Sequence, residues 1–205
     1  ILLWFNEYGA DGVTDFVGMF AFGLLDERNQ KLHLVRDRTG IKPLYYYWDG
    51  KTLLFGSELK ALMAHPRLSR DIDPESLWLY FAYGYVPSPY GILSNVRKVD
   101  PGTVLTFDLR SRRFDSSTYW SAAEAYSQPL WRASDQEYEE ALEAVLRSAF
   151  EYRMVSDVPV GVFLSGGYDS SVVAALLAQG QGHDLHTYTI GFEGGSHDRS
   201  EEHTS

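Results

Sequence analysis

The chain has 205 residues, 44% of them hydrophobic, with a formal net charge of −10 and no cysteine. That length suits one large domain or two small ones. An acidic balance without a Lys/Arg cluster argues against a nucleic-acid partner, no apolar run is long enough to span a membrane, and disulfides and cysteine-based metal sites are excluded.

Ile1 to Tyr8 reads as the back half of an amphipathic helix whose start is missing. Phe16 to Leu25, apolar and aromatic, predicts a strand, and Lys31 to Arg36 the strand returning after a turn at Asp26–Gln30. Leu44–Trp48 and Leu53–Phe55 predict a hairpin across Asp49-Gly50. Ser57–Ala64 reads as a short helix stopped near Pro66. Asp73-Pro74-Glu75 combines an N-cap, an N1 proline and a first-turn acid, and opens a helix to about Tyr83. Short strands are expected at Val96–Val99, Thr103–Leu109 and Phe114–Tyr119, in a stretch that reads as a connector.

Ser134 and Glu137 form a capping box, followed by Tyr138, Leu142, Val145, Leu146, Ala149 and Phe150 on one helical face. Val160–Leu164 predicts a strand covered on both faces. A helix should start immediately after Asp169 and stop at Gly180 and Gly182, with Leu185–Ile190 as the next, parallel strand. From Ser196 the chain is polar and aperiodic. Arg199–Ser205 resembles a translated adapter, with a natural disordered tail as the alternative.

The richest segment is Val160 to Ser171, where a strand breaks into Ser165-Gly166-Gly167 and feeds a helix. The first amides of a helix lack intrahelical acceptors, and the helix dipole adds partial positive charge there. Two glycines without Cβ let a polyphosphate approach the backbone. Ser165, Ser170 and Ser171 offer hydroxyls, and Asp169 suits a phosphate-bound magnesium ion better than a bare phosphate. A strand turning through glycine into a helix can also serve packing alone. No Gly-Lys-Ser/Thr follows, so this is no Walker loop, and Gly-x-Gly-x-x-Gly is absent.

The run Ser-Gly-Gly-x-Asp-Ser-Ser resembles the PP-loop of the ATP pyrophosphatases. Gly18–Phe22, Val35–Tyr46, Phe55–Leu62, Tyr85–Pro89, Val99–Gly102 and Arg153–Gly161, in this order and spacing, resemble the glutamine-hydrolysing asparagine synthetases over residues 1 to 195. Several of these segments also have structural readings. Gly18–Phe22 reads as core strand, Arg36-Asp37 as an ion pair at a strand end or a catalytic pair, and Gly40 and Pro43 as turn formers. Glu58 reads as lining an interdomain path or facing water, Tyr45–Tyr47 as sheet packing, and His33 and His65 as packing or surface residues.

The resemblance implies an α+β antiparallel-sheet remnant of an N-terminal-nucleophile amidotransferase domain, followed by the start of an α/β parallel-sheet PP-loop domain of the adenine nucleotide α-hydrolase-like kind. The implied division is 1–65 glutaminase, 66–133 connector, 134–195 synthetase and 196–205 tail. Such enzymes hydrolyse glutamine at an N-terminal cysteine, pass ammonia through a tunnel, adenylate aspartate with ATP and Mg2+, and release asparagine, AMP and pyrophosphate. The implied nucleotide contacts are Leu164, Ser165, Gly166, Gly167, Asp169, Ser170, Ser171 and Ile190, with Asp169 also the metal ligand. Tyr168 holds the motif's variable position. With no cysteine and a short synthetase part, a catalytically inactive fragment is expected, its parent cytoplasmic and homodimeric and using small-molecule substrates only. The alternatives are a related amidotransferase or β-lactam-synthetase-type ligase, and a non-catalytic truncated nucleotide-binding piece.

Overall fold

The structure, a computed structural model, describes residues 1–180 and 185–191. The expected helix stop at Gly182 and the tail from 196 to 205 lie outside the described residues. The chain divides into two compact units, Ile1–Pro129 and Leu130–Ser205.

In the first unit, α1 (Leu2–Tyr8) runs into a 3-10 segment, Gly9–Asp15. Strands β1 (Ala21–Asp26) and β2 (Lys31–Arg36) form an antiparallel hairpin. β3 (Tyr45–Trp48) pairs antiparallel with β4 (Leu53–Gly56), which leads to α2 (Leu59–Met63). Next come α3 (Pro74–Tyr83), β5 (Val96–Lys98), β6 (Thr103–Asp108), β7 (Arg113–Thr118) and α4 (Ala122–Tyr126). The sheet orders are β1-β2-β6-β7 and β4-β3-β5, every pair antiparallel. Residues 66–133 thus supply a strand to the second sheet and two to the first, closing the free edges of β3 and β2.

β2 is buried along almost its whole length because both faces of its sheet are covered. Leu32, Leu34, Leu105 and Phe107 pack towards Tyr46, Trp48 and Leu53 of the other sheet. Val35 and Val104 face the opposite way, into a cluster with Phe5, Val13, Phe16, Phe20 and Phe22. The far side of the second sheet, through Tyr47 and Val96, packs on Leu62, Leu68 and Leu93. The result is two stacked antiparallel sheets with helix or loop outside each. Fully buried Leu34, Val35 and Val104 each contribute about 1.5–3 kcal/mol by leaving water. Gly23 admits the ring of Phe55 from the facing sheet, since a Cβ there would lie 2.5 Å from that ring.

Two expectations are corrected in this unit. The strand expected from Phe16 begins only at Ala21, because Phe16 and Phe20 turn into an aromatic cluster with Phe22 instead of extending the ladder. Arg36 and Asp37 form no ion pair. Arg36 donates to the carbonyls of Lys42, Val99 and Gly40 at 2.7–2.9 Å. Asp37 accepts from the amides of Phe20, Ile41 and Lys42. Neighbours on extended chain point to opposite sides, so each charge is satisfied by main chain on its own side.

The second unit holds α5 (Asp135–Met154), β8 (Gly161–Phe163), α6 (Tyr168–Gly180) and β9 (His186–Tyr188). The capping box is present, the Ser134 amide donating to Glu137 Oε2 at 2.8 Å. β8 and β9 pair in parallel, with Gly161 opposite His186. Gly161 is needed there, since a Cβ would lie 2.4 Å from the Tyr188 ring. The expected double-sided cover of the first strand is not found among the described residues. Phe163 is 73% exposed, because a two-stranded ladder beside one helix covers a single face. Among the described residues no helix is long and apolar enough to cross a membrane.

Candidate functional site

The turn between β8 and α6 is built by hydrogen bonds at both ends. At its strand end the Leu164 amide donates to the Tyr188 carbonyl at 2.8 Å, and Thr189 Oγ1 donates to the Leu164 carbonyl at 2.9 Å. Thr189 thereby ties the exits of the two strands together. Its role had no signal in the sequence beyond its place at a strand end.

Gly166 adopts φ +78°, the left-handed region that glycine enters without strain. It reverses the chain so that α6 starts at Tyr168, two residues earlier than expected, and Asp169 stands inside the first helical turn. The Ser165 amide donates to Ser170 Oγ at 3.2 Å, and the two hydroxyls lie 3.1 Å apart. Ser170 Oγ and Ser171 Oγ donate to the Gly167 carbonyl at 3.1 and 2.9 Å. These are the back-bonds that serines of a first helical turn make to carbonyls three and four residues earlier. The serines therefore brace the loop, and the Ser171 amide closes the first helical turn on the Gly167 carbonyl at 3.1 Å.

The structure brings Leu164, Ser165, Gly166, Gly167, Asp169, Ser170 and Ser171 into this one turn. Ser165, Gly166, Asp169 and Ser171 are exposed, so no side chain closes the loop off. Ile190 lies two residues past β9 and is 70% exposed. A magnesium ion keeps several waters and takes one or two carboxylates plus substrate phosphates. Asp169, an exposed carboxylate in the first turn of α6, fits that donor set. Among the described residues no group of three or more His, Cys, Asp or Glu exists that could hold a metal by itself.

The remaining candidates take structural places in the first unit. His33 is buried, packs against Phe5 with ring centroids 5.0 Å apart and planes tilted by 52°, and lies 2.9 Å from Thr106 Oγ1. Burial lowers its pKa from the ordinary histidine value. Tyr47 is core, and Glu58 faces outwards, paired with Lys60 at 2.6 Å. A cavity of about 780 Å³ lined by Phe5, Asn6, Asp26, Asn29 and His33 includes none of the loop residues.

Residues 1–120 match the family described as glutamine amidotransferase domain, and residues 141–204 match the asparagine synthase family. A protein of Methanocaldococcus jannaschii, provisionally named asparagine synthetase [glutamine-hydrolyzing] 2, is 40% identical over 197 residues, covering 95% of this chain and 38% of its own length. The Bacillus subtilis asparagine synthetase [glutamine-hydrolyzing] 3 is 35% identical over 202 residues, covering 91% of this chain and 30% of its own. Amidase chry2 of Gibberella zeae is 32% identical over 183 residues, covering 87% and 26% respectively. The chain thus spans well under half the length of each of these relatives.

Proposed function

The chain belongs to the glutamine-hydrolysing asparagine synthetase family, and we propose that it carries the nucleotide-gripping loop of an ATP-dependent enzyme that makes asparagine from aspartate and glutamine-derived ammonia. Its stacked antiparallel sheets and the family match fit the amidotransferase domain. The turn from β8 into α6 is read as the start of a PP-loop synthetase domain. Residues 1–65, 66–133 and 134–195 are read as glutaminase, connector and synthetase portions.

The observation that carries this reading is the exposed Ser165–Ser171 turn, braced by its own serines, at the mouth of a parallel strand pair. Gly166 and Gly167 leave room for phosphate oxygens against the main chain. The first-turn amides of α6 donate to them, and the helix dipole favours their charge. Asp169 would hold Mg2+ together with those oxygens. Leu164 and Ile190, at the two strand exits, would flank the adenine and ribose. When bound, Mg·ATP supplies the adenylyl group that gives a carboxylate a good leaving group. The loop residues stabilise charge on the departing pyrophosphate.

The 205 residues contain no cysteine, so the glutamine-cleaving nucleophile of this family is not among them. The chain is read as inactive in catalysis on its own, within a cytoplasmic and homodimeric parent. A second reading keeps the loop and changes the acceptor. It is a related amidotransferase or β-lactam-synthetase-type ligase, and a relative at 32% identity that carries a name other than asparagine synthetase keeps it open. Titration calorimetry with Mg·ATP tests the shared claim. Binding should require magnesium and weaken in Asp169→Asn, and the pure chain should release no glutamate from glutamine. ATP binding indifferent to both magnesium and Asp169 would remove the reading.

A further inference from the structure

Helix α6 is lightly anchored for an element that has to hold a loop still. Leu177 is its only buried residue. A polar attachment near the opposite end from the loop comes from α5. Arg147, 27% exposed, donates from Nη1 to the Leu176 carbonyl at 3.0 Å and from Nη2 to Gln179 Oε1 at 3.0 Å. Glu143, one turn earlier on α5, holds the same guanidinium at 2.6 Å. Gly180 permits this approach, since a Cβ there would lie 3.0 Å from Glu151 Oε1 and 3.3 Å from Arg147 Nη1.

We infer that Arg147 is a positioning residue for the phosphate loop: by clamping the C-terminal half of α6 to α5 it sets where the first-turn amides of that helix stand. This rests on the nucleotide reading of the loop. A helix is stiff along its axis, rising about 1.5 Å per residue, so fixing Leu176 and Gln179 fixes Asp169 and Ser170. The two contacts from one planar fork also set the rotation of α6 about its axis, which a single ammonium cannot do. A cation near the C-terminal end further favours the helix dipole whose positive end meets the phosphates.

The test compares the full chain with Arg147→Ala and Arg147→Lys by titration with magnesium pyrophosphate, and compares the amide chemical shifts of Gly166, Gly167 and Asp169 without ligand. Arg147→Ala should weaken pyrophosphate binding about tenfold, the scale of one lost charged hydrogen bond, and move all three amide signals. Arg147→Lys, with the charge but not the fork, should fall between the two. Unchanged affinity or unmoved loop amides in Arg147→Ala would overturn the inference. Should Arg147→Ala lose helix content by circular dichroism, the lysine variant decides, and wild-type affinity there overturns it. An unsubstituted chain that binds neither Mg·ATP nor magnesium pyrophosphate brings down the loop reading itself, and the inference with it, before any variant is compared.

Discussion

The Tyr119 hydroxyl donates a 2.7 Å hydrogen bond to the main-chain carbonyl of Arg36, 83 residues earlier in the chain. It joins the segment after β7 to the end of β2, where Arg36 and Asp37 already gather five carbonyls and amides besides the Phe20 amide. Burial, with a smaller contribution from the Asp37 charge, pushes the Tyr119 hydroxyl up to about 12, against a smaller opposing effect of Arg38. In the unfolded chain the same group ionises near 10. Its contribution to stability is therefore complete below pH 10 and is lost as pH rises from 10 towards 12. Tyr119→Phe should cost about 1 kcal/mol at pH 7 and flatten the alkaline fall in a series of urea unfolding curves. An unchanged alkaline limb would refute the assignment.

His33 governs the acid side in the opposite sense. Burial lowers its pKa in the fold, the Asp26 charge opposing this and Lys31 adding to it. The unfolded chain then binds a proton that the folded one resists. Stability is fully present above about pH 6.5 and is lost as pH falls through that value towards the folded pKa. His33→Gln should lessen the drop in melting temperature between pH 7 and 5.5, and an identical drop would count against it.

Asp37 is buried and held by main-chain amides on both carboxylate oxygens. Both its oxygens accept main-chain amides, from Ile41 at 2.9 Å on one and from Lys42 and Phe20 at 2.9 and 3.3 Å on the other. Asparagine must turn an NH2 towards one of those donors. Asp37→Asn should therefore cost about 2–3 kcal/mol, read from the urea midpoint. A cost below about 0.5 kcal/mol, the range of an inert surface change, would show that the amides find other acceptors.

Local chemistry was the most legible part of the sequence. Asp73-Pro74 predicted α3 to the residue because the cap and the proline act within one turn, and Asp73 does accept the Ser76 amide at 2.8 Å. Asp49-Gly50 and Ser134…Glu137 were readable for the same reason. What depended on distant neighbours was not. Phe16 and Phe20 have strand-forming side chains, yet each finds more contact in the aromatic cluster. Arg36 beside Asp37 looks like a pair on paper, while the carbonyl of Val99 that claims the guanidinium is 63 residues away. The helix at Ala122–Tyr126, capped by Ser121, has too few apolar positions to show a period. At the loop, the glycines and the serines announced a turn into a helix. The commitment of the Ser170 and Ser171 hydroxyls to the Gly167 carbonyl needed the folded backbone, as did the part of Thr189.

The most direct measurement is an amide chemical-shift map of the 15N-labelled chain titrated with Mg·ATP. Saturable, magnesium-dependent movement centred on the amides of Gly166, Gly167, Asp169 and Ser170 is the predicted result. Movement confined to residues such as Asn6, Asn29 and His33 around the first unit's cavity, or none in the turn after β8 at millimolar nucleotide, would contradict the account.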